Sequence, residues 1–329
     1  MLWGKDDCVG KHWWQGWLLF VFVAALLVGC GSNTATTEKQ GQVFFQETDV
    51  RGQTVTLTKK PERIVLLSPS LVGIMEALDG DYVAWAESGE ERVTERAKGK
   101  PKVGHLAHPN PEAIVAANPD LVIGYGKLHG KLAQVLEANH IPVYLLNLAS
   151  YDDVQDAIRL CGAVSGHNER AAEVQRELAR RMQQEIDRGP REPVRVAILF
   201  GTSQAVTLDY ETSIASDVAR RLGFTDVFAG RDQTKSARLA PFSLEALAAA
   251  DPDVILLRTM ARHGELNGIF DKALLDQPAW ATLRAVRNGR VYQLPQELFT
   301  SNPGVAYPQS VRYMADVVGG HATSGKERP

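Results

Sequence analysis

The sequence has no obvious membrane span. Its apolar run at residues 17–28 (WLLFVFVAALLV) falls short of the roughly 20 residues that a helical crossing needs. A polytopic membrane protein is thereby excluded. Nor is there an excess of charge of one sign. Lys and Arg number 36 against 39 Asp and Glu, for a formal net charge of -3, so the whole-molecule field gives no reason to expect nucleic acid as a partner. Cysteine is scarce, at three residues: Cys8, Cys30 and Cys161. What is present is ordinary globular material. Over 329 residues, 44% are hydrophobic and 23% charged, which excludes a fibre and bulk disorder. The length suits two packed lobes or one large α/β domain.

The run at 17–28 has the length of a signal-peptide core, preceded by Lys5 and Lys11 and followed by small residues. It ends in Leu27, Val28, Gly29 and Cys30, which is similar to the lipobox of bacterial lipoproteins. There the cysteine is lipidated and becomes the first mature residue. The competing reading is a plain secretory signal in which Cys30 is incidental. Asp6 and Asp7 are unusual in such a segment and fit a start codon downstream of Met1. With Cys8 lost with the signal (1–29) and Cys30 carrying lipid, only Cys161 remains, so an internal disulfide is excluded. Residues 30–42 continue as a small, polar, aperiodic tether.

From Val43 the signals are those of a folded body. VFFQET and TVTL flank Asp49 to Gly52 and predict a hairpin. Short apolar strands at 63–67, 121–125, 143–147, 194–200 and 254–258 alternate with helical patterns, which predicts parallel sheets covered by helices. Ser150 with Asp153 resembles a capping box opening a helix that carries Cys161. Residues 168–188 then carry one apolar stripe, Ala171, Val174, Leu178, Met182 and Ile186, and Gly189 and Pro190 stop it. Such a helix is either a strut between two halves or a surface helix of a single domain. An internal repeat favours two halves. NPEAIVAANPDLVI (110–123) and SLEALAAADPDVIL (243–256) align without a gap, one before the long helix and one after it. The predicted fold class is therefore α/β, with two Rossmann-like lobes (43–165 and 191–320), parallel sheets, a single long linking helix (166–190) and a disordered tail (321–329).

These features, in their order, resemble the substrate-binding proteins of ABC importers for ferric siderophores, haem and cobalamin. The residues that carry the resemblance are Pro61 to Val65 with Leu67 to Ser70, then Pro111 to Ile114 with Asn118 to Ile123, the second copy of that motif, and Asn288 to Tyr292. The resemblance implies two lobes with ligand held in the cleft between them. It also implies one permease-docking glutamate per lobe, and these fall on Glu112 and Glu245. Two carboxylates on matched surfaces suit a two-fold symmetric membrane partner. The alternative is that each merely favours the dipole of its own helix. The expected partners are an ABC permease dimer and, through it, an ATPase. The expected location is outside the cytoplasmic membrane, held by lipid.

Two motifs look catalytic. Gly124, Gly126 and Gly130 follow a strand, but the spacing is GxGxxxG and Asn147 stands where a dinucleotide site wants an acid. Gly201, Thr202 and Ser203 approach a nucleophile elbow, but Ala205 replaces the last glycine and the chain continues as strand. No enzymatic activity and no cofactor are expected. His105, His108, His129 and His140 raise a bare-metal site, for which packed or solvated histidines are the commoner explanation; His105 is also a possible axial ligand if the cargo is haem.

Cleft residues are expected on the loops after strands. In the first lobe these are Ser68, Ser70, Trp85, His105, Tyr125, Lys127 and His129. In the second they are Phe200, Thr202, Arg238, Arg258, Arg262, Phe299 and Tyr307. Aromatics with several cations suit a large anionic chelate, so a ferric siderophore is placed before haem and cobalamin. The reading is a monomeric, lipid-anchored, non-enzymatic receptor for an iron chelate. An extracytoplasmic hydrolase and a ligand sensor on the same scaffold are the competing classes.

Overall fold

In a computed structural model, residues 43–89, 94–202, 205–209, 212–230, 243–259, 274 and 277–320 are described. The predicted signal, Cys30, the tether, the tail, Arg238 and Arg262 lie outside the described residues. No helix among the described residues is long and apolar enough to cross a membrane.

The body opens with the expected hairpin, β1 (Phe45–Thr48) and β2 (Thr54–Leu57), paired antiparallel. Next come β3 (Ile64–Leu66), α1 (Pro69–Ala77), β4 (Ala84–Glu87), α2 (Glu95–Lys98), β5 (Lys102–His105), β6 (His108–Pro109) and α3 (Pro111–Ala116). Then follow β7 (Leu121–Tyr125), α4 (Gly126–Glu137), β8 (Val143–Leu146), α5 (Tyr151–Ser165) and α6 (Asn168–Asp187). The second half runs β9 (Arg195–Gly201), β10 (Val206–Leu208), α7 (Ile214–Arg221), β11 (Thr225–Asp226), α8 (Leu244–Ala250) and β12 (Val254–Thr259). It ends with α9 (Pro278–Thr282), α10 (Arg284–Arg287), β13 (Val291–Gln293), α11 (Gln296–Phe299), a 3-10 turn (Gly304–Ala306) and α12 (Tyr307–Gly319).

Two sheets result. The first is ordered β6-β5-β4-β3-β7-β8 and is parallel except for β6. The second is ordered β10-β9-β12-β13 with β11 beside β9, and is parallel except for β10. The fold is α/β with two parallel-rich lobes and one long helix between them in sequence.

Strand alternation sends side chains to opposite faces, and the core divides accordingly. Val65, Val122 and Leu145 pack outward beneath α3 and α4. Ala197, Leu199 and Ile255 pack outward beneath α8 and α9. The intervening residues of both sheets, Ile64 and Leu66, Val196 and Ile198, Val254 and Leu256, enter a single cluster with α1, α5, α6, α7 and α12. The two sheets therefore share an interior.

Helix α6 supplies Ala171, Leu178 and Met182 to that cluster, with Val174 and Ile186 packed against it, which is the stripe read from the sequence. Its approach to α5 is close. A Cβ on Gly162 would stand 2.5 Å from the Ala171 Cβ. The predicted capping box at the start of α5 is formed, with Ser150 Oγ accepting from Asp153 N and Asp153 Oδ2 accepting from Ser150 N.

Candidate functional site

A cavity of about 820 Å3 opens at the carboxyl ends of the parallel strands, where open α/β sheets bind ligands. From the first lobe it takes Ser70 and Gly73 of α1, Ser88 and Gly89 after β4, and His105 at the end of β5. The opposite wall comes from the second lobe: Gln296, Glu297 and Leu298 of α11, then Thr300 to Pro303 and Val305. The lobes meet at its floor. Ser70 Oγ donates to the Asn302 carbonyl, Asn302 Nδ2 donates to the Leu148 carbonyl at 3.1 Å, and Asn302 Oδ1 accepts from Gly304 N at 2.7 Å.

Of the expected cleft residues, the structure brings Ser70 and His105 to this cavity. Ser68 sits behind them, capping α1 by accepting from Ser70 N at 3.2 Å. His105 is committed on both sides: Nδ1 accepts from Ala107 N at 3.1 Å, which leaves Nε2–H to donate to Ser88 O at 3.1 Å. Ligating haem iron would require breaking one of these bonds. His129 is similarly engaged. Nδ1 accepts from Tyr125 N at 2.9 Å and Nε2–H donates to Leu106 O at 2.7 Å, and burial holds its pKa below the usual imidazole value.

Among the described residues, the other candidates do not line the cavity. Trp85 is 1% exposed and donates Nε1–H to Ala97 O at 3.0 Å. Phe299 and Tyr307 are fully buried. The Tyr307 hydroxyl donates to Asp217 Oδ2 at 2.7 Å; burial, with the Asp217 charge next, pushes its pKa far up. Arg258 is buried over the Phe200 ring at 4.1 Å, with Nε donating to Asp209 Oδ2 at 2.8 Å. Thr202 N bonds Ala205 O at 2.9 Å in the turn from β9 to β10. That turn is a hairpin and not the strand-to-helix bend of a nucleophile elbow; Ser203 itself lies outside the described residues.

Tyr125 is half-buried, its hydroxyl pushed up to about 12 by burial. Lys127 lines a separate hollow of about 350 Å3 with Ser150, Asp217 and Arg220. Of the expected cations, Lys127 and Arg258 lie elsewhere, and among the described residues the cavity wall carries the carboxylate of Glu297 and no lysine or arginine. Nor do the described residues contain a group of three or more His, Cys, Asp or Glu able to hold a metal ion.

Sequence reasoning reached α11 only at Phe299 and passed over Gln296 to Leu298, the 300–306 loop and the Ser88–Gly89 corner. The Asn302-Pro303-Gly304 turn signal was the available clue to the loop.

The two glutamates occupy equivalent places. Glu112 is in the first turn of α3, capped by Asn110 Oδ1 accepting from Ala113 N at 3.0 Å. Glu245 is in the first turn of α8, capped by Ser243 Oγ accepting from Ala246 N at 3.2 Å. Residue by residue from 110 to 120 and from 243 to 253, the pattern of burial is the same. Both helices finish on a left-handed residue, Asn118 (φ 46°) and Asp251 (φ 41°). Both glutamates are exposed. The Ser243 hydroxyl donates to Glu245 Oε2 at 2.7 Å and holds that carboxyl below the usual carboxylate range.

Against known proteins, the profile of a family described as periplasmic binding protein matches residues 64–298. The chain is 24% identical over 300 residues to the Fe(3+)-citrate-binding protein YfmC of Bacillus subtilis, covering 87% of this chain and 90% of the relative. It superposes on an ABC transporter substrate-binding protein of Listeria monocytogenes with a TM-score of 0.69, at 24% identity, covering 79% of this chain and 98% of that one. It also superposes on Staphylococcus aureus IsdE complexed with heme, with a TM-score of 0.68 at 21% identity, covering 78% and 98%.

Proposed function

This chain belongs to the periplasmic binding protein family, and from that premise we propose that it is the solute-binding component of an ABC importer. It captures a ferric siderophore or related iron chelate outside the cytoplasmic membrane and delivers it to the permease. Cys30 carries its lipid anchor, and Glu112 and Glu245 dock it on the two halves of the permease. It performs no chemistry on its cargo.

The observation that carries this reading is the cavity between the lobes, walled at the carboxyl ends of the strands by hydroxyl, amide and aliphatic groups with the His105 ring and the Glu297 carboxylate. Its volume of about 820 Å3 is in the range of sites that enclose a whole small molecule. The relative that binds Fe(3+)-citrate supports iron chelate as the cargo class. The matched glutamates support docking. A helix dipole accounts for one first-turn acid, but not for two at the same place in two copies.

The decisive test is a calorimetric titration of the full chain in detergent with ferric citrate, a ferric trihydroxamate, a ferric catecholate, haem and cobalamin. Saturable binding of a ferric chelate at micromolar concentration or tighter is the expected outcome. Haem or cobalamin alone would move the cargo class, and no binding across the panel would sink the reading. For docking, Glu112→Ala with Glu245→Ala is expected to abolish uptake in cells while leaving chelate affinity intact; full uptake would remove both residues from that role.

A further inference from the structure

We infer that Arg63 and Arg195 are paired positioning residues for the two glutamate-bearing helices, an inference that rests on the docking reading above. Arg63 stands immediately before β3 and Arg195 opens β9, the strands that pair with β7 and β12. In the first lobe, Arg63 Nη2 donates to Ala117 O at 2.7 Å and Nε donates to Asn118 O at 2.9 Å. In the second, Arg195 Nη2 donates to Ala250 O, the equivalent carbonyl, at 2.7 Å. The next carbonyl, Asp251 O, is taken by Arg284 Nη2 at 3.0 Å.

These carbonyls end α3 and α8, where the helix supplies no amide of its own and where a cation also meets the negative end of the dipole. Each arginine backbone is tied in as well. Arg63 N donates to Asp120 Oδ1 and Arg195 N to Asp253 Oδ2, both at 2.9 Å. One side chain and one amide thus join the start of a strand, the end of the helix and the start of the next strand at a single node, twice in the molecule. Helices as short as α3 and α8 have little stability of their own, so their direction is set from outside. Freed at its last turn, the helix shifts and its first-turn glutamate loses its aim. Neither arginine lines the cavity, so the nodes serve docking and not capture. Because Arg284 shares the work in the second lobe, Arg63 bears more of its helix than Arg195 does.

The test uses the full chain with its permease and ATPase in nanodiscs, comparing Arg63→Met, Arg195→Met, both together, and Arg63→Lys. Affinity for the permease complex is expected to fall about tenfold in the double variant, with Arg63→Met the more damaging of the single changes. Arg63→Lys should fall between, since an ammonium cannot span two carbonyls as the guanidinium fork does. Binding of the tightest member of the ferric citrate, ferric trihydroxamate and haem panel should stay within about twofold, with the melting temperature preserved. Unchanged permease affinity would overturn the inference. So would an equal loss of cargo binding and thermal stability, which would make the arginines merely structural. The Glu112→Ala, Glu245→Ala pair is run beside them. If that pair leaves permease binding intact, the docking reading fails and this inference falls with it. If the pair abolishes binding and the arginine variants do not weaken it, only this inference fails.

Discussion

At the scale of single residues, the seam between the lobes is a place where polar groups are buried and individually satisfied. Asp217 accepts from Tyr307 Oη and from Tyr151 N, and Arg221 bridges Asp217 and Asp152, each at 2.9 Å, while lying over the Tyr151 ring. Tyr307→Phe removes one bond to a buried carboxylate and should cost about 1–2 kcal/mol. A lowered urea midpoint with unchanged chelate affinity is the expected result. Reduced affinity at constant stability would return Tyr307 to the cargo site. Asp81 gives a pH signature. Lys100 first, then Tyr82 N and Arg96, hold its pKa at about 2, below the usual carboxylate range. A carboxyl depressed in the folded state contributes stability above pH about 4 that is lost as pH falls towards 2. The side chain is 70% exposed, so solvent screening keeps the contribution well under about 1 kcal/mol. Asp81→Asn should therefore slightly flatten the fall in stability between pH 4 and 2, read from urea melts at each pH.

At the scale of elements, the sequence was informative wherever a pattern needed only its neighbours. The strands at 121–125 and 254–258, the stripe of α6 and the box at Ser150 are local, and the structure has them. The cleft was harder to read, because the direction of a side chain at a strand end depends on what covers it. Trp85 lies on a short strand that the sequence reading did not single out, and it turns inward onto α2. Arg258 looked like a free cation until Asp209, 49 residues away, proved to hold it. Elements also show where the chain tolerates no bulk. Gly162→Ala drives a methyl into Ala171 across the α5–α6 contact and should destabilise by about 1–3 kcal/mol through overpacking, seen as a lowered melting temperature. Little change would mean that the two helices can part without loss.

At the scale of the whole molecule, the internal repeat was legible because it extends over a continuous stretch, and its equivalence reaches the burial of each residue. What the repeat could not reveal is that the inner faces of both sheets enter one cluster with α5, α6 and α12. A hinge between such halves would have to open apolar surface to water, which limits how far the lobes swing when cargo arrives. The same feature bears on how the chain folds and fails. Two halves with separate interiors would melt in two steps and survive apart. Halves that share their interior form one cooperative unit, so a cut between Gly189 and Pro190, just after α6, should leave the fragments bound to each other through size exclusion. Either fragment made alone should aggregate, because the apolar cluster on the inner face of its sheet is completed only by its partner.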